Sequence, residues 1–190
     1  MNVLLLGPQG AGKGTQAKRI AAEYELPHIA TGDMLRASIS AGDPLGVKAI
    51  LDQGRLVPDD VMIELIRSRL AQPDAERGFV LDGFPRTMAQ AEALDAMLRE
   101  IDKRLDLVLE LQVPDEVAVE RLTRRAELEG RPDDTPEAIR RRLELYHEET
   151  EPLVEYYRSR GNVVGIHGDR SENQVFAEIQ QALEQAGAVA

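Results

Sequence analysis

The chain has 190 residues, 43% of them hydrophobic, and a net charge of −11 from 23 Lys and Arg against 34 Asp and Glu. That length fits one domain, or one domain carrying a small insertion, and the apolar content excludes wholesale disorder. Cysteine is absent, which excludes disulfides, thiolate catalysis and Cys-ligated zinc, and the acidic balance argues against non-specific nucleic-acid binding.

The three histidines, His28, His147 and His167, make no metal-ligand spacing. No apolar run reaches the length of a membrane span, and the N-terminus lacks the basic flank of a signal peptide. The expected setting is therefore cytoplasmic.

Val3-Leu4-Leu5-Leu6 reads as a buried strand, followed by a Gly-rich loop and a helix whose face is Ala17, Ile20, Ala21 and Tyr24. His28–Ala30 reads as a short second strand, and Thr31 as the cap of a helix starting near Asp33. Further strands are expected at 78–82, 106–113 and 162–166. Pro114 reads as a first helical residue, and Ser171 with Gln174 as a capping box for the last helix. Short strands alternating with helices predict a five-stranded, mostly parallel sheet covered on both faces. Residues 31–72 carry helical patterns without a strand between them and read as an inserted helical subdomain. Residues 126–134 are polar and broken by Gly130 and Pro132, and read as a short mobile loop. Around them, residues 121–142 hold seven arginines and five acids, a local balance of +2 in an acidic chain. That run fits either a solvated, ion-paired helix face or an anion site.

The strongest motif is Gly7-Pro8-Gln9-Gly10-Ala11-Gly12-Lys13-Gly14-Thr15, placed after a strand and opening a helix. Glycines let successive backbone N–H groups curl around phosphate oxygens, the helix N-terminus adds its dipole, and Lys13 supplies a point charge. The pattern departs from the common form in having Gly14 directly after the lysine, with Thr15 one place later. Mg²⁺ is then expected to rest on water, phosphate and a carboxylate. Asp82 ends an apolar strand and is the candidate carboxylate. Arg86 follows at the carboxyl edge of the sheet, where open α/β folds bind ligands. Gln90 lies four residues on, and Thr87 with Gln90 also spells a capping box. Arg36 sits within reach of its own helix start.

Together, Gly10–Gln16, Thr31–Arg36, Leu81–Arg86 and Arg131–Asp134 followed by Arg140–Leu143 resemble the adenylate kinase family, in its short-lid form, from residue 2 to about residue 185. The resemblance implies a phosphate-loop α/β fold of three layers. Its core is 1–29, 60–125 and 135–190, its helical nucleotide-monophosphate insertion about 30–59, and its lid about 126–134. It implies reversible, Mg²⁺-dependent phosphoryl transfer from ATP to AMP, without structural zinc, by a monomer with no nucleic-acid or membrane partner. Gly10, Ala11, Gly12, Lys13, Gly14 and Thr15 would wrap the ATP phosphates, and the backbone at Arg170 would touch adenine. Thr31, Arg36, the stretch Arg55, Leu56 and Val57, and Gly83, Phe84, Pro85, Arg86 and Gln90 would hold AMP. Arg121 and Arg125 would meet ATP and the transferring group, and Arg131 and Arg142 would lie between the nucleotides. Asp133 and Asp134 would tie the lid to Arg121 or Arg125. A UMP/CMP kinase of the same fold is the alternative, although a carboxamide at Gln90 favours AMP. A guanine-nucleotide switch would carry Asn-Lys-x-Asp, which is absent; Asp43-Pro44-Leu45-Gly46 fits Asp-x-x-Gly but follows no strand.

Overall fold

The structure, a computed structural model, describes residues 1–130 and 134–187. Its centre is a parallel sheet of β1 (Asn2–Leu6), β2 (His28–Ala30), β3 (Phe79–Asp82), β4 (Leu107–Gln112) and β5 (Val163–His167) in the order β2-β3-β1-β4-β5. All five expected strands are present. Side chains alternate between the faces, as the period of a strand requires. Leu4, Leu6, Phe79, Leu81 and Val108 join one buried cluster, while Val3, Leu5, Val80, Leu107 and Leu109 join the other.

The second cluster is closed by α1 (Lys13–Glu23) and α9 (Glu172–Gln185), through Ala17 and Ile20 against Val175, Phe176 and Ile179. The first is closed by α4 (Asp59–Leu70), α5 (Met88–Glu100) and α8 (Pro152–Arg158). Here α2 (Thr31–Ser40) and α3 (Lys48–Asp52) precede α4 with no strand between them, as the sequence patterns predict. The Asp43 carboxylate accepts from the N–H groups of Val47 and Lys48 at 2.8 and 3.1 Å. Its Asp-x-x-Gly string is thus a helix-start device rather than a nucleotide switch.

Three local expectations are corrected. Thr31 is the first residue of α2 rather than its cap; Ala30 occupies the cap position and the Thr31 hydroxyl donates to Asp82 O at 3.3 Å. Pro114 is the cap of α6 (Asp115–Glu129), one place before the helix. The loop expected over 126–134 begins later, because α6 continues to Glu129 and ends at Gly130 with φ +59°. Ala126, Glu127, Leu128 and Glu129 are good helix formers, and nothing breaks them before a glycine able to adopt the left-handed cap. Arg131, Pro132 and Asp133 lie outside the described residues. The chain then forms α7 (Pro136–Leu145) and a π-helical turn at Tyr146–Thr150. Among the described residues, no helix is long and apolar enough to cross a membrane.

His147 in that turn binds carboxylates on two elements. Its Nδ1 meets Glu151 at 2.8 Å and its Nε2 meets Asp115, the first residue of α6, at 3.0 Å. These hydrogen bonds, Glu151 foremost, raise its pKa above the ordinary 6.5. The histidine binds its proton more tightly when folded, so its contribution to stability is complete below pH 6.5 and is lost as pH rises through the raised folded value. His147→Gln should therefore lower the melting temperature at pH 6 more than at pH 9. A loss independent of pH would mean that the ring acts by packing alone.

Candidate active site

The carboxyl ends of the five parallel strands open on one side, and a cavity of about 690 Å³ lies there. The register fixes its floor. Leu5 of β1 pairs with Asp82 of β3, so the residues following each strand, the phosphate loop and Gly83, are neighbours. Gly10 has φ +84°, and a Cβ there would lie 2.5 Å from Ala118 O, so the loop follows this path only with glycine. Gly10, Ala11, Gly12, Lys13, Gly14 and Thr15 all line the cavity.

Lys13 opens α1, and its Nζ donates to the loop carbonyls of Gly7 and Pro8 at 2.7 and 2.8 Å. Burial lowers its pKa to about 8, with Asp82 opposing and Arg86 and Arg125 adding to the fall. Asp82 is the counterion. Burial works against its charge, but His28, Lys13 and Arg86 outweigh this and hold its pKa below the usual carboxylate value. His28 Nε2 stands 3.8 Å from Asp82 Oδ2, beyond direct hydrogen-bond reach. The histidine was not singled out as a site residue from sequence; the β2–β3 pairing of Ala30 with Asp82 brings it there.

Arg86 is held from three sides. Its Nε donates to Gly83 O at 2.8 Å, its backbone N–H donates to Gln90 Oε1 at 2.8 Å, and its carbonyl accepts from the Thr150 hydroxyl at 2.8 Å. Burial pulls its pKa down, Asp82 opposes, and Arg142 and Arg36 add like-charge repulsion. Gln90 is 2% exposed and its Nε2 donates to Asp59 at 2.8 Å. Half of the expected capping box is present: Thr87 accepts from Gln90 N, but the glutamine carboxamide turns to Arg86 instead of Thr87. Arg36 folds back over Gly32 and pairs with Asp33 at 2.5 Å.

The arginine-rich stretch divides into three roles. Arg121 donates to Gly168 O at 2.8 Å, joining α6 to the loop before α9. Arg125 makes two 2.8 Å bonds to Asp134, and Arg142 makes a third at 2.7 Å to the same carboxylate. Asp134 thus meets Arg125 and Arg142, not Arg121, and its side chain is fully buried. Arg142 also reaches Leu51 O in α3 at 3.5 Å. Beside that contact Gly54, at φ +68°, packs so tightly on α7 that a Cβ would lie 2.6 Å from Ala138 O.

Of the sequence-predicted residues, Arg36, Arg55, Leu56, Gly83, Pro85, Arg86, Arg121, Arg125, Arg142 and Arg170 line the cavity. Val57 and Phe84 do not. Their side chains are 5% and 1% exposed and belong to the apolar cluster beneath, because each alternates away from a lining neighbour. Thr31 and Gln90 lie just behind the wall, touching it through Asp82 and Arg86. Arg131 and Asp133 lie outside the described residues. Sequence reasoning missed Thr150 and Tyr146, which line the wall from the π-helical turn. No local motif marks them; they arrive by tertiary packing.

Burial raises the pKa of Asp134, but Arg125 and Arg142 overcome it and hold the group ionised. Its contribution to stability is therefore present above pH 3.8 and is lost as pH falls through the depressed folded value. Asp134→Asn should cost about 2–3 kcal/mol in urea unfolding near neutral pH, less than a fully buried pair because Arg125 remains 29% exposed. A loss below about 0.5 kcal/mol would rank the cluster with ordinary surface ion pairs.

Comparison with known proteins points one way. The family model described as adenylate kinase matches residues 5–162. An adenylate kinase from Cyanothece sp. is 50% identical over 185 residues, covering 96% of this chain and 95% of the relative. That of Stenotrophomonas maltophilia is 48% identical, with 96% and 99% covered. The Archaeoglobus fulgidus adenylate kinase is 45% identical, with 97% and 98% covered, over an alignment of 213 residues. That alignment is longer than this chain, so that relative carries additional residues. With its phosphate loop, its ring of arginines and these relatives, the chain belongs to the adenylate kinase family.

Proposed function

We propose that the chain transfers the γ-phosphoryl group of ATP to AMP, reversibly giving two ADP. The observation that carries this reading is that Lys13 and Arg86 line one cavity with Asp82, whose charge acts on both. The donor's phosphates would rest on the N–H groups of Gly10–Thr15 with Lys13, its base towards Gly168–Val175. AMP would lie between α2 and the start of α5, its phosphate on Arg36 and Arg86 and its base near Arg55, Leu56 and Gln90. A single chain supplies the whole set, which supports a monomer as the active unit.

An AMP phosphate oxygen attacks the γ-phosphorus while the bond to the β–γ bridging oxygen breaks. That oxygen is already ionised at neutral pH, so no general base is required. The protein's work is alignment and charge stabilisation. Lys13 and Arg86 hold the two polyanions in line, and Arg121, Arg125 and Arg142 offset the charge of the moving group. Arg131 is expected to join them. The lid over 126–134, here the end of α6 and the residues beyond, would exclude water, since hydrolysis is the competing reaction.

Mg²⁺ carried by ATP fits this site. The ion keeps several waters and needs a carboxylate besides phosphate oxygens. Asp82 is ionised, and a Cβ on Gly14 would still be 3.5 Å from its Oδ2, so the space beside it is open. When bound, the ion would neutralise phosphate charge, with Asp82 holding its waters.

Lys13→Ala should remove most turnover while circular dichroism stays native, because truncating a cation that packs on loop carbonyls leaves no apolar cavity. Near wild-type turnover would sink the phosphate-loop assignment. The kcat/KM for ATP should fall above about pH 8 as free Lys13 loses its proton, while kcat persists to higher pH because bound phosphates favour the charged form. In a panel of AMP, CMP, UMP and GMP, AMP should lead by about 10²-fold or more in kcat/KM. Equal values for AMP and CMP would return the reading to a UMP/CMP kinase. Gln90→Ala should raise the KM for AMP, since it removes the carboxamide and leaves the Arg86 backbone N–H without its acceptor.

A further inference from the structure

Gln16 lies one helical turn beyond Lys13 and is 2% exposed, yet phosphate binding gives it no task. Its Nε2 donates to Glu172 O at 3.1 Å. Glu172 is the first residue of α9, directly after the Ser171 cap. Its other carboxamide atom, Oε1, is buried and finds no hydrogen-bond partner among the described residues. Such an orphaned acceptor is a cost to folding that an apolar side chain of the same volume would avoid. A purely structural position between α1 and α9, two helices that close one apolar cluster with Ala17, Ile20, Val175 and Ile179, would favour the apolar residue.

We propose that Gln16 is a positioning residue that registers the start of α9 against the phosphate loop and so fixes the donor-base pocket. The wall formed by Gly168, Arg170, Ser171, Glu172 and Val175 belongs to the same cavity as Gly10–Thr15. It is tied at one end by Arg121 to Gly168 O and by the Gly168 N–H to Gln112 O. At the other end Glu172 O receives Gln16 from inside and Arg19 from the surface, the latter at 3.0 Å. Arg19 also stacks 4.1 Å from the Phe176 ring centre, so its hold is on the outer face of α9. Gln16 is the buried link, and it leaves the helix that carries Lys13 and Thr15. A base held by backbone groups of this wall is recognised only as well as the wall is registered to the phosphates. This inference rests on the placement of the donor base towards 168–175.

The test is Gln16→Met, with Gln16→Leu as a second apolar variant, followed by kinetics and thermal melting. One lost hydrogen bond predicts a KM for ATP about three- to ten-fold higher. The preference for ATP over GTP should narrow by a similar factor, while KM for AMP and kcat at saturating ATP stay within about twofold. The melting temperature should stay within about 2 °C of wild type or rise. An unchanged KM for ATP and ATP/GTP ratio in both variants would overturn the proposal. So would a joint rise of both Michaelis constants with a lower melting temperature, the mark of a merely structural link. Photolabelling of the wild type by 8-azido-ATP checks the base placement separately. Label within 168–175 supports it, and label confined elsewhere overturns that placement and the inference resting on it, whatever the variants do.

Discussion

The parallel pairing of Leu5 with Asp82 sets the position of every charge in the cavity. The two strands end together, so the loop after β1 and the carboxylate ending β3 meet without help from any longer-range contact. A slip of one residue would carry Leu81 from one apolar cluster to the other and move Asp82 along the strand, away from the phosphate loop. The alternation of Val3, Leu4, Leu5 and Leu6 between two separate clusters prevents that slip, because every apolar side chain would change face at once. The chemistry is thus guarded by the core rather than by the polar groups themselves.

A second constraint is charge. Lys13, Arg86, Arg125 and Arg142 crowd one cavity, and Asp82 and Asp134 are among the carboxylates that offset them. The offset is incomplete. Burial and like-charge neighbours weaken the hold of Lys13 and Arg86 on their protons, which is the state a polyanion relieves. The acidic remainder of the chain keeps this positive potential local. The cations are also held rather than loose: Arg86 by Gly83, Gln90 and Thr150, Arg121 by Gly168, and Arg125 and Arg142 by a shared carboxylate. Order imposed in advance lowers the entropy that binding would otherwise cost.

Strands and the phosphate loop were legible in the sequence because they depend on local signals, namely short apolar runs and glycines beside a lysine. Arg36 and Arg86 stood out by place, Arg36 beside its own helix start and Arg86 at the carboxyl edge of the sheet, and both line the cavity. What local signals misjudged were partners. Gln90 reads equally well as half of a capping box or as a base-reading group, and only its tertiary surroundings turn its oxygen to Arg86 and its amide to Asp59. Asp134 gave no hint that it would gather two arginines instead of one. Gly130 and Pro132 drew the loop too early, since Leu128 and its neighbours extend α6 on propensity. Thr150 had no motif at all, and Gln16 closes the Gly10–Gln16 motif without any sign of its partner; both contacts join elements far apart in the chain.

The contact of Gly54 with Ala138 brings two peptide backbones together without a side chain between them. The spacing of the segment after α3 from α7 is therefore set by the thickness of the main chain for as long as position 54 stays glycine, since any Cβ there would push the two apart. Residues on either surface can drift in size or polarity without changing how near the two arms come. The seam behaves as a gauge stop: glycine at position 54 fixes how near the two backbones come and leaves the surrounding surface free to vary.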